Sequence, residues 1–281
     1  MDGKMKNRKD LSNRITQLVD ELPLFPTDID GLLSAAVKPS EDGVELLRLI
    51  ESDPKLSGEL LKLSRSYFGK AEEFETVGDV VNHVGLQPLV QLIGISYAKS
   101  TIKEEFAALK YLDEYIGHAE EISIGCRIIA EITDLPRSEC EIYALAGLVH
   151  DVGRLAILAG SNRTSAHVLG TLWDKMASIV HDEKASLGTN HCEVGTRICK
   201  KWNLSPVIQE GVSRHHTPLI DGDFNFVGAL VFISHFLSYS DPSGDIISTA
   251  LPDELFERLN LSHADFEKAK KVYQTRTQHN C

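Results

Sequence analysis

Apolar residues recur along most of this chain at the three- and four-residue spacing that lines one face of a helix, while strand-like alternation is nearly absent. Ser40-Glu41-Asp42-Gly43 opens one such helix with a capping serine and early acids, followed by Val44, Leu46, Leu47 and Ile50. Asp53-Pro54 ends it and starts another, whose stripe is Leu56, Leu60, Leu61 and Leu63. The pattern continues over Thr76 to Val84 and Leu86 to Ala98, with Gly85 as the turn between them. Beyond a charged stretch at residues 101–112, longer helices are expected at roughly 112–133, 138–159, 164–185, 191–202 and 205–215. Asp134-Leu135-Pro136 and Leu204-Ser205-Pro206 are breakers with a proline at or near a first helical turn. Thr217 to Asp223 reads as a loop, Phe226 to Tyr239 as a buried helix, and Pro252 onward as two short helices and a frayed end.

These patterns predict an all-α protein, a helical bundle with an N-terminal helical subdomain. The expected divisions are a flexible terminus over 1–14, an N-terminal subdomain over 15–105, a second helical subdomain over 106–245 and a C-terminal extension over 246–281.

With 42% hydrophobic and 25% charged residues, the 281-residue chain reads as an ordinary soluble globular protein. It has no unbroken apolar run long enough for a membrane span, and its basic start precedes no signal-peptide core, so a cytoplasmic location and no membrane partner are expected. A net charge of -12 disfavours nucleic acid as a partner, because that requires a concentrated basic face. The five cysteines form no C-x-x-C pair and are read as reduced thiols; Cys192 and Cys199, two helical turns apart, suit packing on one face better than ligation.

The second subdomain carries the candidate chemistry. His150-Asp151 follows an apolar helical stretch, and His118, His191 and His215-His216 stand around it in sequence. Imidazole and carboxylate are ligands of catalytic transition metals, and helices can bring such scattered positions together. Glu114 and His118 lie four residues apart and so share a helix face, while His235 lies in the last strongly apolar helix. Taken singly, each histidine has an ordinary explanation as a hydrogen-bonded core residue or a helix-end cation. Their joint occurrence is what points to a site. His83, His167, His181, His263 and His279 read as incidental, and His181-Asp182 lacks the small-residue helix before it and the glycine after it.

The order His118, His150-Asp151, His191, His215-His216 resembles the HD superfamily of metal-dependent phosphohydrolases. The chain as a whole is most similar to the HDOD branch, the HD-related output domain of bacterial signalling proteins, over roughly residues 15 to 240. Further similar segments are Leu22-Pro23-Leu24-Phe25-Pro26, Ile50 to Ser57, Leu60 to Ser66, Val84-Gly85-Leu86, Gly147 to Gly153, and Trp202 to Pro206. The resemblance implies an HD-like helical bundle with regulatory duties, acting through a signalling protein partner or a phosphoester or nucleotide ligand. It also implies Glu114, His118, His150, Asp151, His191, His215 and His216 as metal ligands, with His235 where the last ligating aspartate of the pattern is expected. The Gly-Tyr-Pro loop of the HD-GYP cyclic-dinucleotide phosphodiesterases is replaced by Thr217 to Asp223, which argues against that substrate; Asp221 or Asp223 is a candidate substitute carboxylate.

One or two divalent ions, iron, manganese, nickel or zinc, suit such nitrogen and oxygen donors. Asp151 would bridge two ions, and an ion would acidify a bound water for attack on phosphorus. Arg154, one turn beyond His150-Asp151, would contact a phosphate oxygen, with Lys184 and Arg214 as weaker candidates. Asp151 and Arg154 are therefore the catalytic candidates if the chain is a phosphohydrolase rather than a binding protein.

Overall fold

Helical periodicity becomes, among the described residues, thirteen helices and one two-stranded hairpin. The computed structural model describes residues 2–22, 47–48, 50–52, 54–68, 74–84, 86–161, 178–202, 204–238 and 251–278. The helix start at Ser40, the run from Pro23 to Pro26, Gly85, His167 and His279 lie outside them. The helices are α1 (Asp2–Glu21), α2 (Pro54–Phe68), α3 (Val77–Val84), α4 (Leu86–Glu105), α5 (Leu112–Ile132), α6 (Arg137–Val149) and α7 (Val152–Ser161). They continue as α8 (Ile179–Leu187), α9 (His191–Lys201), α10 (Pro206–Arg214), α11 (Phe226–Ser234), α12 (Asp253–Arg258) and α13 (His263–Gln278).

The pair α5 and α6 is the centre of the bundle: α4, α10 and α11 pack on α6, while α11 and α13 pack on α5. Beside it, α7 packs against α9 and α1. Buried residues from Ile15 to Tyr273 form one cluster, so core on both sides of residue 105 is continuous. Local chemistry sets the helix starts that matter. Asn190 caps α9 by accepting from the Glu193 N–H at 2.9 Å, Ser205 precedes Pro206 at the start of α10, and Asn225 caps α11 by accepting from the Gly228 N–H at 2.6 Å.

Several expectations need correction. The helix expected over 138–159 is two helices, α6 and α7, separated by a turn at His150 and Asp151. The loop over 217–223 contains a hairpin pairing Leu219-Ile220 with Asp223-Phe224. Positive φ at Asp221 and Gly222 closes it with a two-residue turn whose twist matches the strands. Helix α1 runs across the division expected at residue 14, with Ile15 and Val19 buried in the core. Of the helix expected over 164–185, residues 164–177 lie outside the described residues and the part from Ile179 is helical in α8. The stretch Ile142–Gly160 has a mean hydropathy of 1.5 and is long enough to cross a membrane, but 89% of it is buried inside the fold.

Candidate metal centre

Four helix ends converge on one buried volume. His150 follows the last turn of α6, His215 that of α10 and His235 that of α11, while His191 begins α9. Each of the three C-terminal histidines turns its Nδ1 back to a carbonyl in the preceding turn. His150 donates to Gly147 O at 2.7 Å, His215 to Val212 O at 2.8 Å and His235 to Val231 O at 2.8 Å. A proton held on Nδ1 leaves the lone pair on Nε2, so the helix ends fix which nitrogen faces the centre. His191 reaches the same state differently. Its backbone N–H and Nδ1 both donate to Glu183 Oε2, at 2.8 and 2.6 Å.

Close backbone approach brings these ends together. A Cβ at Gly153 would stand 2.0 Å from His191 O and 2.6 Å from Gly195 N. Only glycine permits α7 and α9 to cross that closely, and the crossing sets Asp151 against His191.

The donors fall into two groups. In the first, Asp151, His191, His215 and His216 each offer a ligand atom, all within 4.8 Å of one another; in the second, His118, His150 and His235 do the same. Asp151 faces both. Its Oδ1 lies 3.4 Å from His191 Nε2 and 3.5 Å from His215 Nε2, while its Oδ2 lies 3.5 Å from His150 Nε2. Arg154 Nε stands 2.9 Å from the same Oδ1, and both side chains are buried.

Electrostatics separates the groups. Burial alone would push the Asp151 carboxyl up, but Arg154 and His150 outweigh it and hold it well below the usual carboxylate range. Burial lowers His150, and it lowers His216 and His235 well below the ordinary imidazole value. His118 falls to about 4, through burial and then the neighbouring His150. These imidazoles are neutral at physiological pH, the state that ligates metal. His191 is the exception: burial and Arg154 push it down, yet Cys192 and Glu183 outweigh them and raise it.

The donor atoms fit a divalent ion. His191 Nε2 and His215 Nε2 stand 3.3 Å apart, with both Nδ1 atoms committed to other acceptors. Nitrogens facing each other at that distance share either a proton, which the raised His191 supplies in the metal-free protein, or a metal ion. Ligands about 2.05 Å from a tetrahedral zinc ion stand about 3.3 Å apart. The spacings of 3.3, 3.4 and 3.5 Å among Asp151, His191 and His215 match that requirement. His118 Nε2, His150 Nε2 and both ring nitrogens of His216 are buried without a hydrogen-bond partner. Buried polar atoms are rarely left so, and orphans gathered around one centre mark where a ligand belongs.

The structure thus brings together His118, His150, Asp151, His191, His215, His216 and His235, with Arg154 beside them. Glu114 is not among them. It is exposed in the first turn of α5, whose inward face is taken by Leu112, Tyr115, Ile116 and Ala119. Asp221 and Asp223 are exposed on the hairpin, where Asp223 pairs with Arg214 at 2.9 Å. Lys184 is engaged with Glu193 at 2.6 Å, and His181-Asp182 is exposed. Two residues at the centre escape sequence reasoning. Glu183 lies eight residues before His191 and reaches it only through the left-handed turn at Gly188. Cys192 looks like a packing residue, yet its Sγ lies 3.5 Å from His191 Nε2.

A family model, the HDOD domain, matches residues 22–218. Among solved structures, the chain is similar to a candidate phosphohydrolase of Shewanella amazonensis SB2B, with 22% identity over 94% of this chain and 95% of that one and a TM-score of 0.70. An HDOD domain protein of unknown function from Geobacter sulfurreducens has 21% identity over 97% of each chain and a TM-score of 0.68. A candidate metal-dependent phosphohydrolase, also from Shewanella amazonensis SB2B, has 17% identity over 97% of this chain and all of that one, with a TM-score of 0.63. These likenesses establish the helical fold. No curated protein matches the chain.

Proposed function

Because the chain belongs to the HDOD domain family, we propose that it is a bacterial, cytoplasmic signalling protein built around an HD-type divalent-metal centre. The observation that carries this reading is the convergence of orphaned imidazole nitrogens on a carboxylate shared by two donor groups. In this reading the metal ligands are His118, His150, Asp151, His191, His215, His216 and His235, and the centre binds a regulatory phosphoester or nucleotide or organises a surface for a protein partner. Among the described residues, the N-terminal subdomain over 15–105 adds none to either donor group, and in this reading it is the part that contacts a partner.

A second reading, a metal-dependent phosphohydrolase, is favoured by one feature. Arg154 is a buried guanidinium next to the bridging carboxylate, where a cation is expected to hold a phosphate oxygen. A bound ion would supply Lewis acidity and an acidified water. Asp151 would present one oxygen to each donor group, the neutral histidines would fix the ions, and Arg154 would orient the phosphoryl group.

Metal analysis of purified full-length protein, followed by a phosphatase and cyclic-dinucleotide screen with added Mn and Fe, separates the readings. The signalling reading expects bound metal and phosphoester binding without product. Hydrolysis abolished by His150→Ala would establish the enzyme instead. Metal-free protein whose fold is indifferent to chelator would overturn both.

A further inference from the structure

We propose that Arg154 is a built-in counter-cation of the metal centre: it balances the Asp151 carboxylate while no ion is bound and opposes the ion that Asp151, His191 and His215 would hold, so that occupancy answers to the free metal concentration. The inference rests on the metal-centre reading above and deepens it with a regulation of that same site. It gives Arg154 a partner inside the fold rather than a phosphoryl group.

The other buried lysine and arginine side chains among the described residues pair outward. Lys99 and Arg127 meet Glu120 and Glu131, whose side chains are 32% and 31% exposed. Arg154 differs: its side chain is 0% exposed and that of its partner Asp151 2%. A pair sealed on both sides often loses more hydration than its attraction returns, so stability alone does not account for it. Geometry supplies another reason. The Arg154 N–H donates to Asp151 O at 2.8 Å, and this turn sets Nε 2.9 Å from Oδ1. The same oxygen lies 3.4 Å from His191 Nε2 and 3.5 Å from His215 Nε2, and it is buried without a hydrogen-bond partner. The guanidinium therefore brings charge to Oδ1 and leaves that oxygen's lone pair to a ligand. A zinc ion about 2.1 Å from Oδ1 would stand within about 5 Å of Nε. Like charges that close repel strongly even at the effective dielectric of a protein interior. The field of Arg154 already reaches both donor groups, where it adds to burial in pushing down His118, His191 and His216.

Arg154→Met removes the charge and keeps most of the volume. Zinc affinity of the full-length protein, read by competition with a chromophoric chelator, should tighten by at least about tenfold in this variant. Arg154→Lys, which restores the charge, should bring the affinity back toward that of the unsubstituted protein. A group that merely shaped the site would weaken binding when removed. Equal affinities, or weaker binding in folded Arg154→Met, would therefore overturn the counter-cation and leave the metal centre standing. Zinc bound by none of the three proteins would overturn the centre itself. Should the variants fail to fold, the unsubstituted protein decides the question by circular dichroism. Stripped of metal it should stay helical, with a lower Tm than when loaded with zinc. Loss of helix on stripping would overturn the claim that Arg154 balances the carboxylate while no ion is bound.

Discussion

The two donor groups of the candidate metal centre are built from similar helix ends but differ in charge. Asp151, His191, His215 and His216 share a carboxylate held ionised by Arg154, and His191 is backed by the second carboxylate of Glu183. His118, His150 and His235 are three neutral imidazoles whose carboxylate contact among the described residues is the far oxygen of Asp151, at 3.5 Å from His150. A dication gains more from an anionic than from a neutral ligand set, so the first half should fill first and hold more tightly. The difference centres on His235, which stands where the resemblance leads one to expect an aspartate. If both groups hold ions, a neutral imidazole at that helix end would leave one strong site and one weak site.

The largest effect should come from removing what the halves share. Asp151→Asn is expected to abolish binding in both, read as loss of bound metal by elemental analysis. It also removes the carboxylate that pairs with the buried Arg154, which should destabilise the protein by about 3–5 kcal/mol in denaturant unfolding. Retention of one ion would show that the second half stands alone.

Acid should act next, and mainly through the lowered imidazoles. In metal-free protein His118 titrates at about 4, whereas in the unfolded chain it titrates near 6.5. The unfolded state therefore binds more protons below 6.5, and stability falls as pH drops through that window. His118 alone accounts for about 2 kcal/mol by pH 5, with His150, His216 and His235 adding in the same direction and the raised His191 opposing. Urea unfolding at pH 7 and pH 5 checks this; equal midpoints would mean that these rings are not buried neutral.

Gly153→Ala should break one half and spare the other. The added methyl has no room against the His191 carbonyl, so α7 and α9 must part at a cost of about 1–3 kcal/mol. Metal bound by the first group should weaken, while the ring contacts of His150 with His118 and His235, seen in histidine NMR, persist. Glu183→Gln is subtler and should weaken the first ion by about 10–100-fold in calorimetric titration, leaving the second unchanged. The smallest change, His235→Asp, should return an anion to the second half and raise the metal content at limiting supply.

Much of this was legible in the chain. Helices α5, α9 and α10 fall within two residues of the expected ranges, because strong periodicity, Asn190, Ser205-Pro206 and the Asp134–Pro136 breaker all act locally. The histidines were legible for the same reason: those at helix ends stand out by position. What stayed hidden depends on tertiary geometry. Whether Glu114 faces in or out depends on where α5 begins, and its first turn leaves Glu114 exposed. The turn at His150-Asp151 carries no breaker, since His150 keeps helical angles. Glu183 meets His191 through a turn, and Cys192 meets it only because α9 starts where it does. The hairpin at 219–224 had a signal in Asp221-Gly222, but two-residue strands lie below what periodicity detects.

The central claim is that Asp151, His191 and His215 hold a divalent ion. Anomalous diffraction from crystals of the full chain grown with zinc or manganese tests it most directly. The account predicts a strong peak within bonding distance of Asp151 Oδ1, His191 Nε2 and His215 Nε2, with a weaker one or none among His118, His150 and His235. A map without a peak at either group, from protein whose stability is unchanged by chelator, would contradict it.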